Sequence, residues 1–359
     1  MRSPRVLAQG RIERIGQEGS ACPNYEAALA SCMEAIVGPG KALGSVAELA
    51  GIGFKAVHAG AVSGTRRIDD EVLAAMEEFS FLAPAHNPPY IAAMCAFRRA
   101  MPGVPLVALF ETAFFDSLDE ATVTYAVPYA WKTDDGVRRY GFHGASHRAA
   151  SERARELCGG GDLRHISCHL GGSSSLAAVR GGVAIDTSFG ISPQSGLPQC
   201  NRVGDFDVFA ALFIMQKHGL TVAEMARILS SESGLAGIAR GSGDVRDLTT
   251  EAARGNAGAQ LALAVYVRAV RHYLGAFLVE LGGLDVLTFS GGIGENSADV
   301  RAAVCQGLAG FGIVLDAGRN LAVHGEGTIS PDGAAVPVLV LPADEEIVVA
   351  RAVAAHLGI

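Results

Sequence analysis

Lys55, Glu111, His143, Arg202 and Glu345 are charged or ionisable residues set among apolar or glycine-rich neighbours. Each has a chemical reading and a plainer one. Arg202 lies in the long loop Ser192 to Asp205, and loops of that length in folded domains are usually functional. Its planar fork of N–H donors suits phosphate oxygens; the plainer reading is a surface ion pair with Asp205 or Asp207. Glu111 follows the apolar run Val104 to Phe110, at the carboxyl end of a predicted strand where ligands of open α/β sheets bind, or it serves only as a carboxylate at the turn before Phe114 and Phe115. His143, between Phe142 and Gly144, has little packing reason to be an imidazole, whereas His147 in the same turn reads as a helix cap. Lys55, in the run Ile52 to Gly60, is either a snorkelling edge residue or an anion clamp. Glu345 and Glu346 precede an apolar helical pattern, where carboxylates suit the helix dipole in any protein, and are suggestive of a metal site.

Two glycine turns supply what those side chains lack. Leu287 to Ser290 is an apolar run that breaks into Gly291-Gly292-Ile293-Gly294-Glu295-Asn296 and then a helical pattern. His169-Leu170-Gly171-Gly172-Ser173 follows the strand-like Leu163 to Cys168 in the same manner. Glycine lets backbone approach a ligand closely, and the free N–H groups of a following helix favour a phosphate. One such turn is a weak signal, because glycines also serve strand-to-helix packing; two in one chain point to a nucleotide. The loop Gly241 to Asp247 is a further glycine-loosened segment able to touch an adenosine.

The elements that must hold these residues follow from periodicity. Helical spacing predicts helices at Tyr25 to Val37, Asp69 to Phe81, Arg148 to Cys158, Phe206 to His218, Val222 to Leu229, Ala257 to Leu281 and Ile347 to Leu357. Strands are predicted at Val6 to Ile15 (an edge), Ile52 to Gly60, Val104 to Phe110 and Val336 to Leu341, with a hairpin, Ser175 to Val179 and Val183 to Thr187, turning at Gly181-Gly182. The prolines in Ala83 to Pro89 predict an irregular loop carrying His86 and Asn87. The order of elements is that of an α/β protein.

Composition narrows the partners. A chain of 359 residues, 49% hydrophobic and 18% charged, has core for about two domains. A net charge of -8 argues against nucleic acid or an anionic membrane as partner, so the ligand is small. Seven cysteines without C-x-x-C pairs or zinc-like spacing read as reduced cytosolic thiols. No apolar run reaches about 18 residues and the start has no signal-peptide core, which predicts a cytoplasmic protein.

Taken in order, Tyr140-Gly141-Phe142-His143-Gly144-Ala145-Ser146-His147, His169-Leu170-Gly171, Asp186-Thr187-Ser188, Arg202-Val203-Gly204-Asp205, Asp244-Val245-Arg246-Asp247, Gly292-Ile293-Gly294-Glu295-Asn296 and Glu345-Glu346 resemble the acetate kinase family over nearly the whole chain. The resemblance implies two ribonuclease-H-like α/β domains of the actin-like ATPase type around a nucleotide cleft: residues 1–113 plus 347–359 on the acid side, and 114–346 binding the nucleotide. It implies reversible, magnesium-dependent transfer of phosphoryl from ATP to acetate or another short carboxylic acid, by a homodimer. His143 and Arg202 match the pair that stabilises the phosphoryl group in flight. Glu111 stands at the family's catalytic aspartate, Lys55 at its carboxylate-binding arginine, and Glu345 at a magnesium-associated glutamate. His169, Leu170, Gly171, Gly172 and Ser173, then Asp244, Val245 and Arg246, then Gly292, Ile293, Gly294, Glu295 and Asn296 match its ATP-contacting loops.

The departures are as informative. The family opens with a strand and a glycine-serine hairpin that touch phosphate and metal, and the chain begins after that point, which predicts a missing first strand and an exposed edge in the first domain. Asp to Glu at position 111 adds a methylene, and Arg to Lys at 55 trades a fork for a point charge. Together these changes predict an acid pocket reshaped for a substrate other than acetate. The competing reading is a catalytically silent nucleotide-binding paralogue with an assembly or regulatory role. A sugar kinase or chaperone-type ATPase would need a sugar-binding aspartate pattern that the chain lacks.

Overall fold

The computed structural model describes residues 5–12, 15 and 22–359, and the chain divides into two units, 1–113 with 345–359, and 114–344. In the first unit, β1 (Ile52–Ala56), β2 (Thr65–Arg67) and β3 (Leu106–Phe110) form a sheet in the order β1-β3-β2. β1 runs parallel to β3, with Lys55 opposite Leu109, and β2 is antiparallel. β3 is apolar and buried at every position, as expected of a strand covered on both faces. Phe54, Ala56, Val72, Met76, Met94, Ala108 and Phe110 make its core.

The closing helix Glu345–Leu357 lies against β1, and a glycine decides how closely. A Cβ at Gly53 would stand 2.7 Å from Val349 Cγ1, so only a residue without a side chain lets the helix settle there. Lys55, two residues on, shares that face of β1 and meets the first turn of the helix.

The second unit is built on β4 (Arg164–Leu170), β5 (Ser174–Arg180), β6 (Val183–Thr187), β7 (Val286–Ser290), β8 (Gly327–Thr328) and β9 (Val338–Val340), in the order β6-β5-β4-β7-β9-β8. β4, β7 and β9 are parallel at the centre, and the antiparallel strands lie outside. The helix Ala257–Glu280 buries Ala259, Ala262, Tyr266, Val270, Leu274 and Phe277 in the main core with Ile166, Cys168, Leu176 and Phe289. The helix Gly144–Leu157 packs Ala150 and Ala154 with Val286, Leu339 and Leu341 in a second cluster. The parallel pairing of β4 with β7, His169 opposite Ser290, brings the two predicted glycine turns side by side.

Several expectations change. Residues 5–12 carry no strand, Glu13 and Arg14 lie outside the described residues, and no described strand pairs with this segment, so there is no ladder to hold it extended. The loop expected over Ala83 to Pro89 contains a helix start: Asn87–Ala100 is helical with Pro88 and Pro89 in its first turn, where a missing N–H leaves nothing unsatisfied. The strand from Ile52 ends at Ala56, the helix from Asp69 runs over Asp70–Glu78, and the helix from Val222 passes at Arg227 into a π turn, Ile228–Glu232. The helix expected from Arg148 begins earlier, at Gly144, with His143 as its N-cap. The helix Ala257–Glu280 is by length and composition apolar enough to cross a membrane, although Arg268 and Arg271 divide it into shorter apolar runs. Here it is a core helix of the second unit.

Candidate active site

In the first unit, the Lys55 ammonium contacts Glu345 Oε2 and lies 3.8 Å from Glu111 Oε1. Glu111 is only 3% exposed. Its backbone N–H donates to Ala56 O, which locks the end of β3 to the end of β1 and holds the carboxylate beside the lysine. Burial works against the Lys55 charge, but Glu111 and then Glu345 outweigh it and hold the ammonium above the ordinary lysine range. Tyr90 is close enough to feel all three charges; burial raises its pKa, with Lys55 opposing and the two carboxylates adding. A cavity of about 300 Å³ opens here, lined by Gly53, Lys55, Glu345, Glu346, Val349 and Ala350. The Lys55 ammonium is thus set between two carboxylates rather than released to solvent. Glu345 and Glu346 open the closing helix, two residues earlier than expected.

In the second unit the predicted residues gather at the carboxyl ends of β4 and β7. Gly291 takes φ +76°, and a Cβ there would stand 2.7 Å from Leu170 O, so glycine is required both by conformation and by space. A Cβ at Gly171 would lie 3.8 Å from Gly292 N, which measures how near the two turns come. The helix Gly291–Asn296 follows, and Glu295 Oε1 accepts from Gly291 N and Ala343 N. Asn296 Nδ2 donates to Gly292 O, closing the loop on itself.

Beside these turns, the His143 ring lies 4.4 Å from that of His169, centroid to centroid, and edge-on to Phe189. His143 caps its helix at φ +60°, a left-handed conformation costing about 1–3 kcal/mol in a residue other than glycine. Ser146 Oγ is 2.6 Å from His169 Nδ1, and Ser175 Oγ is 2.8 Å from His143 Nδ1.

Arg202 reaches the same neighbourhood. Its Nη1 donates to Gln199 Oε1 (3.0 Å), Ser173 Oγ (3.3 Å) and Pro193 O (3.4 Å), and burial lowers its pKa. Asp205 instead accepts from Gly196 N and Tyr273 Oη, and Asp207 caps the helix Val208–His218. Cys200 N donates to Gly172 O, tying the arginine loop to the first glycine turn, and Gly243 packs on Cys200 O. Asp244 caps the helix Val245–Ala253 and pairs with the exposed Arg246, whose guanidinium holds the aspartate below the ordinary carboxylate range.

Residues given no chemical part in the sequence reading lie beside these groups. His147, expected to cap, is wholly buried and bonds Ser167 and Ser175, while Ser174 Oγ meets Tyr266 Oη at 2.8 Å. The signal available was the row of serines Ser173-Ser174-Ser175 entering a strand, where alternate hydroxyls face opposite sides. A larger hollow of about 730 Å³ lies behind the arginine loop against Phe206, Arg268 and Tyr273, and none of the glycine-turn residues lines it. Among the described residues no three His, Cys, Asp or Glu side chains are grouped to hold a metal ion.

The profile of the acetokinase family matches residues 6–351. An acetate kinase of Geobacillus sp. (strain WCH70) is 41% identical over 369 residues, spanning 98% of this chain and 93% of that protein. Among solved structures, the acetate kinase of Porphyromonas gingivalis matches with a TM-score of 0.86 at 36% identity, over 97% of this chain and 92% of the other. A propionate kinase from Francisella tularensis subsp. tularensis SCHU S4 matches with a TM-score of 0.80 at 32% identity, over 86% and 79%.

Proposed function

The chain belongs to the acetokinase family, and on that premise we propose how its own residues serve an acetate kinase-like phosphotransferase, which moves a phosphoryl group between ATP and a short-chain carboxylate. The second unit takes the nucleotide on its two glycine turns, His169 to Ser173 and Gly292 to Asn296, with Asp244, Val245 and Arg246 at the adenosine. Arg202 and His143 offset the charge that spreads over the equatorial oxygens in the transition state. The observation that carries this is the bond from Arg202 to Ser173, which sets a half-buried guanidinium beside a backbone turn shaped for phosphate.

The first unit takes the acid. Lys55 draws the substrate carboxylate, and Glu111 orients it; an attacking carboxylate is already ionised at neutral pH and needs no base. Glu345 is a hard oxygen donor suited to magnesium, an ion commonly held by one or two carboxylates together with substrate phosphates. When bound, the ion adds neutralisation of phosphate charge. The longer Glu111 and thinner Lys55 fit an acid other than acetate.

A homodimer is supported by the helix Val208–His218, which turns Val208, Phe209, Leu212 and Phe213 to solvent beside exposed Phe206. A cytoplasmic setting is supported by seven cysteines that are all free thiols.

Trapping acyl phosphate as its hydroxamate, with acetate, propionate, butyrate and longer acids, tests the reading. Product is expected with ATP and magnesium, with best turnover on an acid longer than acetate; an acetate optimum would remove the pocket argument. Arg202→Ala should raise the transfer barrier by about 2.7–4 kcal/mol, the scale of losing one transition-state donor. Turnover close to the unaltered protein would take Arg202 out of the mechanism.

A further inference from the structure

Ser175 Oγ, at the start of β5, stands between two imidazoles, 2.8 Å from His143 Nδ1 and 2.8 Å from His147 Nε2. His147 Nδ1 is in turn 2.8 Å from Ser167 Oγ on β4. Ser167, His147, Ser175 and His143 therefore form one file of hydrogen bonds from the sheet interior to the phosphoryl-side histidine. Its first three members have no solvent exposure.

The direction of the hydrogens follows from counting them. Burial, with His169 and His165 adding, pushes the His147 pKa well below the ordinary value, so this ring is neutral and carries one N–H. If that hydrogen sat on Nδ1 it would point at Ser167, whose own hydroxyl hydrogen has no other acceptor among the described hydrogen bonds. A buried donor left so costs about 1–3 kcal/mol. If Ser167 instead donates to Nδ1, His147 Nε2–H donates to Ser175, and the Ser175 hydroxyl donates to His143 Nδ1. Every hydrogen in the file then has its acceptor. A neutral His143 ring then carries its own proton on Nε2.

We propose that Ser175 and His147 are positioning residues that fix neutral His143 in its Nε2–H tautomer, making the ring a hydrogen-bond donor for a phosphoryl oxygen without prior protonation. The tautomer stands on the hydrogen-bond geometry together with the burial of His147; its use in catalysis rests on the phosphotransfer reading. A ring free to choose would spend part of its time with a lone pair, not a hydrogen, toward an anionic oxygen, and the oxygen would be repelled.

The test combines a spectroscopic readout with kinetics. Long-range ¹⁵N–¹H correlation spectra of labelled protein at about pH 8, where an ordinary histidine is neutral, report the state of each ring nitrogen, and His143 is identified by the signal lost in His143→Gln. A pyridine-type Nδ1 and a pyrrole-type Nε2 are expected; the reverse pattern overturns the proposal without any variant of the file. Ser175→Ala should let both tautomers appear and lower kcat about tenfold, the scale of one hydrogen bond, with KM for ATP and acid within about twofold. Ser175→Thr, which keeps the hydroxyl, should restore both. The His165 signal, bonded to Thr288 on the same sheet, shows whether each variant keeps its fold. A Ser175→Ala protein with unchanged tautomer or unchanged kcat overturns the assignment. Failure of the unaltered chain to make any acyl phosphate would count against the phosphotransfer reading instead, and the spectrum would still judge the tautomer.

Discussion

Lys55 Nζ lies 3.8 Å from Glu111 Oε1, across neighbouring parallel strands whose ends are joined by the Glu111 N–H to Ala56 O bond. With Glu345 on its other side, one ammonium faces two carboxylates. Removing the lysine takes its charge from beside a buried carboxylate. Lys55→Met is expected to lower unfolding free energy in urea by about 3 kcal/mol, the lower end of the range for breaking a buried pair, because Lys55 keeps some contact with water. A loss below about 1 kcal/mol would mean that Glu111 finds its compensation elsewhere.

The two glycines that open the turn after β7 should answer differently to the same methyl group. Gly291→Ala forces a left-handed conformation costing about 1–3 kcal/mol and sets a Cβ against the Leu170 carbonyl. Gly292 has ordinary backbone and open space around its missing Cβ. Gly292→Ala should hold or gain up to about 1 kcal/mol, while raising KM for ATP if phosphate lies on that backbone. Equal melting of the two variants would contradict the geometry.

His165 predicts a specific acid sensitivity. Burial depresses its pKa to about 3, against about 6.5 when unfolded, so between those values the unfolded chain binds a proton that the folded chain refuses. Stability from this residue is complete above about pH 6.5 and declines by about 1.4 kcal/mol per pH unit as pH falls toward 3. His147 acts in the same direction. His165→Gln should flatten the urea-stability profile between pH 6.5 and 3 by one histidine's share; identical slopes would mean that His165 titrates normally in the fold.

The solvent-facing phenylalanines make a prediction about assembly. Phe209→Asp with Phe213→Asp places charge on a helix face that a second copy would bury, whereas a monomer would lose nothing from it. Sedimentation equilibrium is expected to show a dimer for the unaltered chain and a monomer for the double variant. Dimers persisting at the same strength would move the interface to another face.

Much of the site was legible because its residues sit where elements end. Strand-then-glycine patterns located both turns, and helical spacing located Ala257 to Leu281 within one residue of its observed end. The charge arrangement in the first unit was not legible: Lys55 and Glu345 are 290 positions apart, and nothing local in either segment says they meet. His147 was misread for a related reason. Its burial comes from β4 and β5 passing beneath it, so a residue that looks like a helix-start polar group is an interior one. Asn87–Ala100 was lost to its prolines, which disrupt a helix in the middle but not at its first turn.

Because Gly53 lets the closing helix rest on β1, the first unit is assembled from two stretches of chain separated by the whole of the second. During synthesis the ribosome releases residues 1–113 long before 345–359 exist, so β1 must wait with its helix-facing side uncovered while the intervening unit emerges and folds. Segments translated first would thus be finished last, and a chaperone that shields hydrophobic strands on nascent chains would find its longest-lived target around Ile52 to Ala56.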